Sequence, residues 1–196
     1  MESFVVGASS AWQASRAAGL VSFALLWASV IWGILVSSKP FSSKISRAAI
    51  LDWHRILSTA ALAFAGIHAG VLMLDSHAGY GAADLLVPFA AEDSPVATAM
   101  GVVAFELGMA IAVSFRLRKY LGMRAWRALH LLAYPVFVLA LAHFIAIGTE
   151  AKRAYVFVLA LSSAFSVLFA SAFRVIYRVG DERSTTARRA ATVDGE

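Results

Sequence analysis

The 196-residue chain contains no cysteine. That excludes disulfide bonds, thiolate-ligated zinc and iron–sulfur clusters, and it leaves the redox state of the compartment unread. No glycine-rich dinucleotide loop and no flavin motif occurs, so no flavin is expected on this chain. The first residues lack the basic start and cleavage pattern of a secretory leader, and the first apolar stretch is therefore read as a retained helix. Charge is sparse: 15% of residues are charged against 60% hydrophobic, with a mean hydropathy of +0.75. A soluble domain carries about 45–50% apolar and about 25% charged residues. The net charge of +5 would suit nucleic acid, but the cations gather at the ends of apolar runs.

Those runs define the fold class. Five stretches, near 17–38, 50–74, 96–116, 126–148 and 154–176, are long enough to cross a bilayer as a helix, which needs about 20 residues. Only a helix satisfies its own backbone amides in lipid as a single segment. The expectation is an all-α integral membrane bundle with five transmembrane helices. Of the 17 basic residues, 14 fall on one side of such a bundle: Lys39, Lys44, Arg47, Arg55, Arg116, Arg118, Lys119, Arg124, Arg127, Arg174, Arg178, Arg183, Arg188 and Arg189. The opposite side has Arg16, Lys152 and Arg153, with Asp75, Asp84, Glu92 and Asp93 in a long loop. The positive-inside rule then puts the N-terminus outside and the C-terminus in the cytoplasm of a multi-pass protein of the plasma (inner) membrane. The domain reading is an outside segment 1–16, a membrane domain 17–176 and a cytoplasmic tail 177–196. The tail is polar from Asp181 onward and is expected to be disordered.

Within this apolar chain, four of the five histidines form two pairs: His54 and His68 in the second segment, His130 and His143 in the fourth. Ionisable groups at membrane depth are costly and point to function. Imidazole is an axial ligand of haem iron. Steps of 14 and 13 residues span roughly 21 and 20 Å of helix. Two crossings separate these segments, so they run the same way. His54 then shares the cytoplasmic level with His130, and His68 shares the outer level with His143. The arrangement reads as two haem b sites, His54 with His130 and His68 with His143, forming an electron path across the membrane. A 14-residue step returns within about 40° of the same face, whereas a 13-residue step lands about 140° away. The fourth segment must therefore distort or the haems must be offset sideways, and Pro135 is a source of distortion.

Other residues are open to two readings. Arg55 and Arg127 stand beside the inner pair, and Arg47 and Arg124 lie further off. They suit haem propionates or simply follow the positive-inside pattern. Trp53, Phe64, Tyr134, Phe137 and Phe144 pack the bundle or screen the haems. Gly66 and Gly70 flank His68 and allow close approach of a macrocycle or a helix. Glu106 is a mid-depth carboxylate, either a proton carrier or a neutral hydrogen-bonded group. His77 falls in the outer loop and is expected to be solvated. The loop over residues 75–95 is an interfacial segment or a plain surface loop.

The fourth segment reads Trp126-Arg127-Ala128-Leu129-His130-Leu131-Leu132-Ala133-Tyr134, then His143, then Gly148-Thr149-Glu150. This resembles the W-R-x-L-H-x-L-x-Y … H … G-T-[DE] pattern of bacterial ferric-reductase-like transmembrane proteins. The stretch from His54 to His68 and the loop Leu85-Leu86-Val87-Pro88-Phe89 are similar too. The wider superfamily includes ferric reductases and NADPH oxidases. The resemblance covers roughly residues 17–176. It implies two b haems on these histidines and electron flow from the cytoplasm to the outer face. Many such proteins have six crossings and continue into a flavin and NAD(P)H module. Five crossings without that module imply a separate donor: a flavoprotein, a ferredoxin-like carrier or a quinol. The outer acceptor is left open among ferric chelates, dioxygen and another redox protein, with no nucleic acid involved. The expected role is an oxidoreductase subunit that carries out electron transport. A quinone-reactive cytochrome b stands as the alternative, and a non-redox proton pathway or scaffold is the alternative of a different class.

Overall fold

A computed structural model describes residues 2–36, 46–75 and 79–193. His77, Lys39 and Lys44 lie outside them. The regular structure of the described residues is entirely helical: α1 (Glu2–Val36), α2 (Arg47–Leu74), the short α3 (Ala82–Leu86), α4 (Pro95–His130), α5 (Ala133–Ile147), a 3-10 turn (Thr149–Lys152) and α6 (Ala154–Val193). Four stretches are long and apolar enough to cross a membrane: Ser10–Val36, Ala48–Leu74, Pro95–Ile147 and Ala154–Tyr177.

Local chemistry sets the ends. The Ser46 hydroxyl accepts the Ala49 amide at 3.2 Å and caps α2, supplying an acceptor that the helix lacks at its start. Pro95 opens α4, where its missing N–H costs nothing. α1 begins well before residue 17, so the segment expected to lie outside the bundle is helical from Glu2. No proline interrupts it until Pro40. α6 likewise runs through the polar tail to Val193 where disorder was expected. Glu182, Arg183, Ala187, Arg188, Arg189, Ala190 and Ala191 are good helix formers.

The third stretch, 53 residues long, is not one rod. Gly122 sits at φ 77° and ψ 156°, a conformation essentially confined to glycine. The chain doubles back there: the rings of Phe115 and Trp126, eleven residues apart in sequence, lie 6.1 Å apart. Farther along the same hairpin, His143 Nδ1 reaches the Ala97 carbonyl at 2.8 Å. A second break follows His130. Pro135 has no N–H for the Leu131 carbonyl, and Tyr134 N–H bonds to it instead at 3.1 Å. This tightened turn is the distortion that the 13-residue step required. Each 3-10 residue advances about 120° rather than 100°, rotating His130 back toward the face that carries His143.

α1 and α2 pack antiparallel through a polar ladder. Ser22 Oγ donates to the Ala61 carbonyl at 2.9 Å. One heptad to either side, Ser15 meets His68 and Ser29 meets His54. A seven-residue repeat on both partners holds one seam along a gently supercoiled pair. The apolar core joins this pair to the rest: Val30 and Ile34 of α1, Phe137 of α5 and Val167 of α6 are buried together. Small and hydroxyl residues occupy many of the closest contacts, with Ser15, Ala61, Ala99, Ala160 and Ser163 all buried, while Leu159, Phe165, Leu168 and Phe169 of α6 are exposed. Small residues inside and large apolar ones outside is the pattern of helices packed in lipid.

Replacing Gly122 by alanine should destabilise the fold by about 1–3 kcal/mol, the cost of forcing a side chain into that backbone region. Thermal unfolding in detergent would register it as a lower midpoint. Ser22→Ala, which removes one interhelical bond far from either histidine pair, should cost about 0.6 kcal/mol in the same assay.

Candidate functional site

Between the α1–α2 pair and the α4–α5 hairpin the histidines meet two by two. The rings of His54 and His130 are 5.9 Å apart, centre to centre, at an interplanar angle of 80°. Those of His68 and His143 are 6.4 Å apart at 76°. The two levels are separated by the 14 residues between His54 and His68, roughly 21 Å of helix.

Three of the rings are oriented by backbone. His68 Nδ1 lies 2.8 Å from the Ser15 carbonyl and 2.9 Å from its hydroxyl, and that hydroxyl donates to the His68 carbonyl at 3.1 Å. His54 Nδ1 lies 3.0 Å from the Ser29 carbonyl and 3.3 Å from its hydroxyl. His143 Nδ1 lies 2.8 Å from the Ala97 carbonyl. A carbonyl has no proton to give, so in each case Nδ1 is the donor. A neutral ring then presents Nε2 as a free lone pair, the tautomer needed by a metal ligand. His130 differs. Among the described residues no hydrogen bond reaches its ring, which instead stacks on Trp126 at 5.1 Å.

The donor set fits haem. With metal–imidazole bonds of about 2 Å and roughly 1 Å from each nitrogen to its ring centre, two axial imidazoles stand about 6 Å apart. Both pairs have that separation. Among the described residues no three His, Asp or Glu side chains converge as a metal site; a bis-imidazole haem draws only two ligands from protein.

The other residues singled out in the sequence take varied positions. Arg55 forms an exposed ion pair with Asp52 at 2.9 Å on its own helix. Arg127 is exposed one turn before His130. Trp53 is 56% exposed and turns away from the bundle, so it does not fill space between the two levels. Phe23, which the sequence reading passed over, takes that place: its ring stacks on Phe137 at 5.9 Å and Phe144 at 5.3 Å. Glu106 is exposed on α4 rather than buried, and nothing at the histidine pairs contacts it. In the loop between α2 and α4, α3 carries or precedes the exposed apolar residues Leu86, Val87 and Phe89, which suits an interfacial segment. The serines and glycines of α1 carried a legible signal, two Ser-x-x-x-Gly units 14 residues apart, matching the histidine step on α2.

The comparisons agree with this architecture. A family model described as "Ferric reductase like transmembrane component" matches residues 18–141. The chain belongs to that family, a class of membrane-embedded electron-transfer domains. The match includes His54, His68 and His130 and stops two residues short of His143. No curated protein and no solved structure matches the chain.

Proposed function

We propose that this protein is a dihaem b electron-transfer subunit that carries electrons across the plasma membrane to an acceptor on the outer face. The reading has five crossings, with the reversal at Gly122 dividing the 53-residue stretch into two. The N-terminus is outside and the C-terminus cytoplasmic, as the basic residues favour. His54 and His130 hold the inner haem, and His68 and His143 the outer. The observation that carries the reading is the pair of imidazole–imidazole separations, 5.9 and 6.4 Å, at two depths of the same bundle.

A bound haem supplies one-electron exchange at iron. The chain's residues set what else is possible. His54 with His130 and His68 with His143 would each hold one such group through two imidazoles, and with both imidazoles committed the chemistry supplied there would be electron transfer rather than binding of an acceptor. Phe23, Phe137 and Phe144 fill the space between the levels with apolar rings and keep water out. Arg127 is the favoured partner of an inner propionate; Arg55 would first have to leave Asp52. The donor is a separate flavoprotein, ferredoxin-like carrier or quinol, in line with the lack of a dinucleotide loop in these residues.

The purified chain, reduced with dithionite, should give a b-type spectrum and about two haems per polypeptide by the pyridine assay. His68→Ala and His143→Ala should each remove the outer haem and leave the inner. His54→Ala and His130→Ala should do the reverse. A folded protein that stays colourless when supplied with haem would overturn the reading.

A further inference from the structure

The three anchored histidines share one device. Each Nδ1–H bonds to a carbonyl inside a helix, at Ser15, Ser29 and Ala97. In each case the residue four positions later is glycine: Gly19, Gly33 and Gly101. A helical carbonyl already receives the amide of that later residue. Its flank is normally covered by side chains of the next turn, and a glycine there leaves it open. The approach is close. A Cβ on Gly101 would lie 2.7 Å from His143 Nδ1, one on Gly19 would lie 3.0 Å from His68 Nδ1, and one on Gly33 would lie 3.1 Å from His54 Cε1. The α2 glycines behave differently: a Cβ on Gly70 would meet nothing within 4 Å, and one on Gly66 only Phe105 at 3.9 Å; on α4 a Cβ on Gly108 would come within 2.8 Å of Leu62 Cδ2, the end of a flexible side chain and not a histidine.

We propose that Gly19, Gly33 and Gly101 are notches that open a helix carbonyl to a ligand histidine, and that Ser15 and Ser29 tune the bond made there. They are positioning residues: they fix the tautomer and tilt of the imidazole and leave Nε2 for iron. A hydrogen bond from Nδ1–H makes the ligand more basic, which favours ferric over ferrous iron. The two haem sites are unequal in this respect. Both outer ligands are anchored, at 2.8 Å each, whereas the inner site has one anchored ligand and one stacked on Trp126. The consequence at iron rests on the dihaem reading; the anchoring of the rings does not.

The test uses the full chain with Gly101→Ala, Gly19→Ala, Gly33→Ala, Ser15→Ala and, as control, Gly81→Ala at the start of α3, where a Cβ would meet only Asp84 at 3.5 Å. In the haem-loaded protein, Gly101→Ala and Gly19→Ala should weaken outer haem binding by roughly tenfold or more. The inner haem should keep its potential and electron paramagnetic resonance signal. Gly33→Ala should disturb the inner haem alone, and more mildly. Ser15→Ala keeps the carbonyl and loses only the hydroxyl, so it should retain both haems and raise the outer potential. Gly81→Ala should match wild type. In the haem-free chain, nitrogen-15 spectra of labelled histidine should show the Nδ1-protonated tautomer at His54, His68 and His143, with Gly101→Ala moving His143. Spectra, potentials and tautomers that do not distinguish Gly101→Ala from Gly81→Ala would overturn the notch assignment. A wild-type chain that shows these tautomers yet takes up no haem would leave the notches standing and overturn the dihaem reading instead.

Discussion

Everything in this fold hangs on the polar seam between α1 and α2. Ser15, Ser22 and Ser29 lie a heptad apart and face His68, Ala61 and His54 in reverse order along the antiparallel partner. Hydroxyl and carbonyl contacts of this kind give about 0.6 kcal/mol each in a membrane bundle, too little to dominate stability. Their effect is on register. Sliding α1 by one residue turns every serine about 100° off the seam and leaves the imidazole N–H groups unpaired in a poorly hydrated interior. An unmet donor there costs about 1–3 kcal/mol, so the penalty for the wrong register exceeds the gain from any single bond in the right one.

The same seam explains why much of the site was legible in the sequence and why the rest was not. Four histidines at steps of 14 and 13 in apolar segments identify which rings meet, because helix rise alone fixes their depth. Depth says nothing about what orients a ring. The acceptors are backbone carbonyls, chemically the same at every residue, and only the glycine that exposes each one has a side-chain signature. α1 therefore read as a plain span although it anchors both histidines of α2. Likewise hydropathy located the third and fourth segments but not the manner of their joining. The reversal depends on the φ of Gly122, and the break after His130 on a hydrogen bond that Pro135 cannot make.

Surface placement was harder to foresee. Trp53 and Glu106 lie in apolar helices where sequence alone does not say which face turns inward, and both turn outward. Arg55 follows His54 directly, but neighbours in a helix point about 100° apart, so adjacency in sequence did not place its guanidinium beside the imidazole. It pairs with Asp52 one turn back. Lipid rewards large apolar side chains on the outside as readily as a core would, so the hydrophobic pattern that sorts inside from outside in a soluble protein has little to say here.

The order of helices along the chain has a bearing on biogenesis. His54 and His68, with the serine carbonyls that steady them, belong to the first hairpin to be inserted, while their counterparts arrive only after the 75–95 loop and α4 have been made. Each histidine pair is thus split between an early and a late half. During synthesis the earlier hairpin holds two oriented imidazoles facing lipid, and only the closing of the later one brings their counterparts opposite them.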